Sequence, residues 1–288
     1  MTTDAEGVVH RYNRPDQSVN VVRVHHDQID KDFDYYAVAM TPVWEHRVYA
    51  AECPMRENLF EYYAMLLTKR IGTVAVISDR SEASAGRRQI DYYSDQMPWF
   101  EEKYGATLLV SMSMTQRIAL TGDEAELLMD DIRESASLNV YSYRLTITLN
   151  EAESWMVKVI RLSGWPDMGV ITRRQLSLWK ENIRQKLKHT PGPLLVHCSA
   201  GRGRTGVTLG ALYLDERRIS DADMLCTRMS GERGFRMPQR HEQKKLLHEY
   251  ADYKKANPSR QSPPHPAPRQ TKKDEQGGRS RRTRCTIL

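Results

Sequence analysis

Residues 193–214 read PLLVHCSAGRGRTGVTLGALYL, and this stretch contains the two hydrophobic patterns of an α/β protein. The short apolar run before Cys198 is typical of a buried strand, and the apolar residues that follow Thr205 are spaced as in a helix. Glycines at positions 201 and 203 permit a tight loop between the two elements. The sequence therefore predicts a strand, a loop that begins with a cysteine, and a helix N-terminus at about Thr205.

The thiol of Cys198 has three candidate uses: nucleophile, metal ligand or small buried apolar group. The cysteines of the chain, Cys53, Cys198, Cys226 and Cys285, form no CxxC pair and lack metal-ligand spacing. A glycine-rich loop before a helix binds anions through its amides, and Arg204 adds a guanidinium suited to phosphate. Such positive charge favours the thiolate form of cysteine. Because a structural cysteine needs no glycines and arginines around it, the pattern favours a nucleophile that attacks phosphorus.

Four further motifs accompany this loop. They are GWPDMG (164–169), MPQRHEQKKLL (237–247), EGVVHRYN (6–13) and DYYAVAM (34–40). Together with VHCSAGRGRTG they closely resemble the protein tyrosine phosphatase family, in its phosphotyrosine-specific branch. The resemblance extends over roughly residues 8–256.

This resemblance implies the fold of the cysteine phosphatases and their chemistry. Cys198 would attack phosphorus and form a cysteinyl-phosphate, while Asp167 would protonate the leaving tyrosine oxygen as its loop closes. No metal or organic cofactor is implied, and phosphotyrosine proteins are the implied partners. The implied catalytic residues are Cys198, Arg204, Asp167, Gln239, Gln243 and Thr205, and the implied substrate-binding residues are Ser199, Ala200, Gly201, Arg202, Gly203, Arg204 and Tyr12.

The supporting roles leave alternatives open. Gln239 and Gln243 would position the hydrolytic water, although two glutamines four residues apart also fit a solvated helix face. Thr205 would hydrogen-bond the cysteinyl sulfur, and His197 would tune the thiolate through hydrogen bonds. Tyr12 would stack on the substrate ring or else belong to the core.

Three features depart from the family pattern or are hard to align. The segment after Tyr12 is short, so Asp16 is only a candidate for the acidic residue that anchors the substrate backbone. Glu82 is a candidate for a carboxylate that contacts Arg204. The loop between Gly234 and Gln239 is longer than usual for the family. These departures concern substrate preference rather than the reaction.

Strand and helix patterns alternate along the chain, which predicts a single α/β domain over residues 1–256 with a highly twisted mixed β-sheet flanked by helices. Residues 121–139 fit either a helix or a surface excursion. Strands are predicted at 19–24, 35–40, 72–79, 107–114, 143–149, 155–162 and 194–198, and helices at 57–70, 171–189, 205–218, from a cap at Ser220 toward Met229, and at 239–255.

Residues 257–288 differ in composition from the rest of the chain. They are Pro-rich and then polar, which predicts a flexible, disordered tail. This segment contains eight Lys or Arg and two acidic residues, so it accounts for the whole net charge of +6. A formally neutral body argues against a nucleic-acid-binding catalytic domain. No apolar run has the length of a transmembrane helix, and the N-terminus lacks a signal region, so we expect a cytosolic protein.

The last four residues, from Cys285 to Leu288, fit the C-a-a-X pattern of prenylation, and the terminal leucine favours a geranylgeranyl group. The basic residues before Cys285 would bind anionic lipids, which one prenyl chain needs for stable attachment. The alternatives are an accidental match of a short motif and a nuclear localisation signal. We expect the protein at the cytosolic face of eukaryotic membranes, as a eukaryotic protein or as a viral or bacterial one that acts inside a eukaryotic cell.

Two other functions use the same residues. One is a phosphotyrosine-binding protein of weak activity that shields its targets, and the other is a phosphoinositide or RNA 5′-phosphatase. The presence of Cys198, Arg204 and Asp167 argues against the first. The Trp-Pro-Asp sequence favours a tyrosine phosphatase over the second.

Overall fold

The computed structural model describes residues 21–26, 31–55, 58–78, 107–120, 138–216 and 219–257. The described strands form one eight-stranded sheet in the order β1-β2-β3-β8-β4-β7-β6-β5. They are β1 (Val21–His26), β2 (Lys31–Val43), β3 (His46–Ala51), β4 (Thr73–Ile77), β5 (Leu108–Leu120), β6 (Leu138–Leu149), β7 (Glu153–Ser163) and β8 (Leu194–His197).

The centre of the sheet is parallel and its outer strands are antiparallel. β8 pairs in parallel with β3 and β4, and β4 pairs in parallel with β7. Every residue of β4 and β8 is buried. Their sequences, TVAVI and LLVH, are continuous apolar runs rather than alternating ones, as expected for strands covered on both faces.

Two hydrophobic layers cover the two faces. Successive side chains of a strand point to opposite faces, so Val74 and Val76 lie in one layer and Ala75 and Ile77 in the other. Helix α1 packs in the first layer, and the remaining described helices pack in the second. The helices are α1 (Leu59–Thr68), α2 (Arg173–Lys188), α3 (Gly203–Glu216), α4 (Ala222–Arg233) and α5 (His241–Ala256).

Buried ion pairs connect three of the helices in the second layer. The carboxylate of Asp215 on α3 contacts Lys180 of α2 at 3.1 Å and also contacts Lys254 of α5. The Asp215 side chain is only 2% exposed, so both contacts form away from water. A buried carboxylate requires such partners, because removing one leaves an uncompensated charge. The network therefore fixes the position of α3, which begins just after Cys198 in sequence, relative to α2 and α5.

The predicted fold class is confirmed, with differences at the ends of elements. Strand β3 was not predicted, because its sequence HRVYAA begins with charged residues and contains alanines, which are weak strand formers. β5 extends to Leu120 and β6 begins at Leu138. For residues 121–139 the sequence fitted either a helix or a surface excursion, and the last two residues of that segment belong to strand β6. The helix expected from Thr205 begins at Gly203, since glycine and arginine in its first turn carry no apolar pattern.

The prediction that Ser220 caps the fourth helix is wrong. Asp221 is the N-cap of α4, and its side chain accepts a hydrogen bond from the Met224 amide at 2.8 Å. Both residue types are favoured at this position, so composition alone did not separate them. The described part of the chain contains no helix long and apolar enough to cross a membrane. The predicted tail from residue 258 onward lies outside the described residues.

Candidate active site

The ends of two parallel strands bring the candidate site together. β4 lies between β7 and β8, with Ile77 opposite Leu162 and Val76 opposite His197. The segments that follow β7 and β8 therefore leave the sheet at the same edge, which is where open α/β sheets place their sites. One segment contains the Trp-Pro-Asp sequence and the other contains Cys198. We call them the acid loop (164–169) and the phosphate loop (198–204).

The phosphate loop lies tightly against the neighbouring backbone. Cys198 follows β8 directly and is 3% exposed. The Ser199 carbonyl accepts a hydrogen bond from the Cys53 amide at 2.9 Å. Gly201 has φ +65°, and a Cβ there would lie 2.0 Å from the Ala51 carbonyl oxygen. A side chain at position 201 is therefore excluded both by backbone conformation and by space.

Helix α3 begins inside this loop at Gly203. A Cβ on Gly203 would lie 2.9 Å from Oε1 of Gln243, so α5 approaches the start of α3 closely. The N-terminal amides and the positive dipole end of this 14-residue helix face the loop. Thr205, in the first turn of α3, is fully buried, and its hydroxyl has no hydrogen-bond partner among the described residues. A bound anion and a nearby thiolate are both stabilised at such a helix start.

Arg204 joins the phosphate loop to the acid loop. Its side chain is 1% exposed, and one terminal nitrogen donates to the Trp165 carbonyl at 3.1 Å. The other terminal nitrogen donates to Oδ1 of Asp167 at 3.0 Å, across 37 positions of sequence. The Asp167 side chain remains 30% exposed. The structure thus brings together the predicted phosphate-binding arginine and the predicted acid, with the carboxyl group partly exposed to solvent.

Trp165 anchors the acid loop. Its side chain is buried in the second layer of the core, and its indole nitrogen donates to the Gly169 carbonyl at 3.1 Å. The short Trp165–Gly169 segment is therefore closed on itself by a hydrogen bond, with Asp167 at its middle. A loop stabilised in this way holds the carboxyl group in a defined position.

His197 lies beneath the loop as the last residue of β8. It is fully buried, its ring meets Tyr62 edge-on at 6.2 Å, and its Nδ1 is 3.3 Å from the Cys198 carbonyl oxygen. Burial, with a smaller contribution from the charge of Arg161, lowers the pKa of His197 to about 4. The imidazole is neutral at neutral pH, so His197 acts on the loop through hydrogen bonding and packing rather than through charge.

The two glutamines occupy different environments. Gln243 is fully buried in the first turn of α5, which excludes the solvated helix face for this residue. Its Nε2 donates to the Gly169 carbonyl at 3.1 Å, and its Oε1 accepts from the Arg240 amide at 3.2 Å. Gln239 is half-buried in the segment before the helix. Gln243 therefore links α5 to the acid loop.

Arg233 was missed by the sequence analysis. This last residue of α4 is fully buried, and its Nε donates to the Gly201 carbonyl at 3.3 Å. Burial lowers the pKa of Arg233, while the charge of Glu52 opposes that shift. The guanidinium therefore supports the phosphate loop from below and adds positive charge near Cys198. Its position next to a glycine at a helix end is a common arrangement for solvated arginines too, so the sequence carried no signal for it.

Four of the predicted functional residues, Tyr12, Asp16, Glu82 and Cys285, lie outside the described residues. The proposed stacking, anchoring and lipid-bearing roles of these residues remain predictions. The groups that the structure brings together are Cys198, the loop amides, Arg204, Asp167 and Gln243: a thiol, an anion-binding loop and a carboxyl group suited to proton transfer.

Comparison with known proteins agrees with this geometry. The family model of the protein-tyrosine phosphatases matches residues 13–250. The chain is 26% identical over 224 residues to the tyrosine-protein phosphatase YopH of Yersinia pseudotuberculosis, a match that covers 72% of this chain and 44% of the relative. It is 27% identical over 215 residues to the human tyrosine-protein phosphatase non-receptor type 7, which covers 71% of this chain and 51% of the relative.

A solved structure shows the same fold. The catalytic domain of human protein tyrosine phosphatase non-receptor type 18 superposes with a TM-score of 0.61 at 19% identity, over 83% of this chain and 80% of that one. That protein has also been solved in complex with HER2 phosphopeptides. The chain spans less than half the length of the Yersinia relative that it matches.

Proposed function

The chain belongs to the protein-tyrosine phosphatase family, and on that premise we propose that it hydrolyses phosphotyrosine through a cysteinyl-phosphate on Cys198. The observation that carries the proposal is the position of Arg204. Its guanidinium contacts both the Trp165 carbonyl and the Asp167 carboxylate, so one side chain connects the phosphate loop with the acid. This arrangement supports phosphoryl transfer with protonation of the leaving group.

In the first step the Cys198 thiolate attacks phosphorus. The S–P bond forms, the bond from phosphorus to the tyrosine oxygen breaks, and Asp167 donates its proton to that oxygen. Negative charge on the equatorial oxygens is stabilised by the amides of residues 199–204 and by the Arg204 guanidinium. Since Arg204 already contacts Asp167, binding of the phosphate group and positioning of the acid occur at the same guanidinium.

In the second step water replaces the thiolate. Asp167, now a carboxylate, accepts a proton from the water as its oxygen attacks phosphorus, and the S–P bond breaks to release inorganic phosphate. In this proposal Gln243 and Gln239 orient this water, and the buried carboxamide of Gln243 is held by its hydrogen bond to the Gly169 carbonyl. The Thr205 hydroxyl, which has no partner in the described part of the chain, is available to donate to the departing sulfur.

The test is a comparison of initial rates on four substrates: a phosphotyrosine peptide, the same peptide with phosphoserine, a phosphoinositide in vesicles and a 5′-triphosphorylated RNA. We expect the phosphotyrosine peptide to be hydrolysed at least about 100-fold faster than the phosphoserine peptide, because a phenol is a far more acidic leaving group than a serine alcohol and needs less protonation. Faster turnover of the phosphoinositide or the RNA contradicts the proposed substrate class. Binding of the phosphotyrosine peptide without turnover indicates a binding protein instead.

We further propose that Cys285 carries a geranylgeranyl group which, with the basic residues before it, attaches the protein to the cytosolic face of membranes. Support comes from the sequence CTIL and the local positive charge of residues 257–288. The proposal requires that Leu288 ends the chain in the cell. Mass spectrometry of the intact protein tests this point and the lipid together.

Replacement of Cys285 by serine should move the protein from the membrane fraction to the soluble fraction of a eukaryotic cell. One prenyl chain with a basic segment provides stable attachment, and the basic segment alone binds weakly. Cys226→Ser is the matched control, since it removes a buried thiol of the folded domain. Equal membrane fractions for the wild type and Cys285→Ser would argue against lipidation.

A further inference from the structure

Strands β5, β6 and β7 have one buried face and one exposed face in the half that lies next to the β6–β7 turn. Leu145, Ile147 and Val157 are fully buried in the first layer of the core. Their neighbours along each strand point to the opposite side of the sheet, because successive side chains alternate. Strand pairing aligns these neighbours in three rows: Ser113, Arg144 and Lys158; Ser111, Thr146 and Met156; Leu109, Thr148 and Ser154. We call these nine residues the basic sheet face.

Helix α2 covers the sheet on this side only as far as the first row. Closer to the active site, Ile160 and Leu162 of β7 are buried in the second layer, which contains α2. The Nζ of Lys158 donates a hydrogen bond to the carbonyl of His189, the C-cap of α2, at 3.0 Å. Beyond this contact the side chains of Leu109 and Met156 are 47% and 53% exposed. The face is therefore a solvent-exposed surface next to the end of α2.

Positive charges meet on this face without a carboxylate between them. Arg144 lies directly opposite Lys158 on the antiparallel strands β6 and β7, and like charges in this position destabilise a sheet. Lys186, in the last turn of α2, adds a third positive charge. Burial, with a smaller contribution from the charge of Lys158, lowers the pKa of Lys186.

The end of α2 neutralises only part of this charge. The His189 carbonyl and the negative end of the helix dipole offset the charge of Lys158. The three rows contain no Asp or Glu, and neither Arg144 nor Lys186 forms an ion pair with any residue in the described part of the chain. A negatively charged ligand on this face would therefore relieve a repulsion that these residues leave in place.

The dimensions of the face indicate what kind of ligand fits. Strands about 4.8 Å apart and rows about 6.8 Å apart give a surface of about 10 by 14 Å between the outer Cα atoms. A stable interface between globular proteins needs about 800 Å² from each partner, which is several times larger. An extended peptide of a few residues fits better, since its alternate side chains are also about 6.8 Å apart.

The chemistry of the face favours carboxylates over phosphate and a peptide over a membrane. Phosphate binds where backbone amides converge, whereas the helix end beside Lys158 presents carbonyls. Lys158 and Lys186 are half-buried, so a narrow peptide reaches them more easily than a flat lipid surface does. The exposed side chains of Leu109 and Met156 add apolar contact area of the kind that peptide recognition uses.

We propose that the basic sheet face is a docking site for an extended acidic segment of a protein partner. Aspartate or glutamate side chains of the partner bind Arg144 and Lys186, and the serine and threonine hydroxyls of the face hydrogen-bond its backbone. The site is separate from the phosphate loop. Lys158 lies four positions before Leu162, or about 13 Å along the strand from the pairing of Leu162 with Ile77 at the active-site edge. The inference goes beyond the proposed function and does not depend on it.

The experiment measures binding of a short fluorescent peptide of alternating glutamate and valine to the full-length protein by anisotropy. The same peptide with glutamine in place of glutamate is the reference. Orthovanadate, a phosphate analogue, is present throughout to occupy the phosphate loop. At low salt we expect the glutamate peptide to bind at least about 10-fold more tightly than the glutamine peptide, with a smaller difference at higher ionic strength. Vesicles that contain phosphatidylserine serve as the second probe.

The double variant Arg144→Gln/Lys186→Gln should bind the glutamate peptide about 3- to 10-fold more weakly, the effect of losing two ion pairs at a surface. Its Tm should be unchanged or higher, because Arg144 no longer repels Lys158. The matched control is Arg47→Gln/Lys69→Gln, which removes the same number of charges. Arg47 is exposed on β3, which β8 and β4 separate from β7, and half-buried Lys69 is the C-cap of α1 on the other side of the sheet.

Four results would overturn the inference. Equal affinity for the glutamate and glutamine peptides shows that the face does not recognise carboxylates. Equal weakening in the two double variants assigns binding to the general charge of the protein. A loss of vesicle binding without a loss of peptide binding in Arg144→Gln/Lys186→Gln identifies a membrane contact instead. A lower Tm of this variant contradicts the repulsion on which the inference depends.

Discussion

Replacement of Cys198 by serine should reduce turnover of a phosphotyrosine peptide by at least about 10³-fold, as loss of a catalytic nucleophile does in other enzymes. The serine hydroxyl is nearly the same size but is not ionised at neutral pH, so the attacking anion is lost. The loop contacts through Ser199, Gly201 and Arg233 involve backbone carbonyls and are retained in the variant. Initial rates and single-turnover release of phosphate measure the effect.

The control is Cys226→Ser, which makes the same chemical change elsewhere. Cys226 is buried on α4, and burial raises the pKa of its thiol to about 11, so it is protonated at neutral pH. We expect this variant to keep its activity at temperatures below unfolding. Phosphopeptide binding to Cys198→Ser should persist, because the amides and Arg204 are unchanged. Residual activity of Cys198→Ser comparable to that of the control would exclude the nucleophilic role.

The phosphate loop was predictable because its residues are adjacent in sequence. A change from a continuous apolar run to helical spacing, with glycines between, indicates a strand, a loop and a helix start without any long-range information. Cys198 and Arg204 therefore lie in the same loop as expected. The start of α3 at Gly203 shows the limit of such patterns, because the first turn of a helix is defined by backbone geometry and not by apolar residues.

The contact between Arg204 and Asp167 could not be derived from spacing. It depends on β7 and β8 both flanking β4, so that the segments after them share one edge of the sheet. The sequence predicts these strands but not their order. Only the resemblance of the motifs to a known family indicated that the two loops meet. Strand order results from the packing of the whole core, which local patterns do not contain.

Buried polar residues were the least predictable part of the site. Gln239 and Gln243 are the same residue type four positions apart, yet Gln243 is fully buried and Gln239 only half-buried. The difference arises because α5 begins at His241, so Gln239 precedes the helix while Gln243 faces the phosphate loop. Arg233 is similar, since nothing in its neighbours distinguishes a fully buried arginine from a solvated one. Burial of such groups depends on the long-range partners that satisfy them.

The general-acid role of Asp167 leads to the second large effect. Replacement by asparagine keeps the shape of the side chain and removes the transferable proton, so kcat on a phosphotyrosine peptide should fall by about 10² to 10⁴-fold. The loss should be much smaller for para-nitrophenyl phosphate, because its leaving group is a far more acidic phenol and needs little protonation. Comparison of kcat for the two substrates measures this difference directly.

The contact between Asp167 and Arg204 allows this experiment to distinguish proton transfer from a positioning role, and an exposed aspartate on α5 provides a control. Asp167 also binds Arg204 at 3.0 Å, so a purely positioning role would lower kcat equally for both leaving groups and would weaken phosphopeptide binding. A proton-transfer role leaves binding unchanged or stronger, because the variant removes negative charge next to the phosphate site. Asp252→Asn is the matched control, since that carboxylate is 76% exposed on α5 and pairs with Lys255. Equal losses on both substrates would assign Asp167 to the support of Arg204 rather than to acid catalysis.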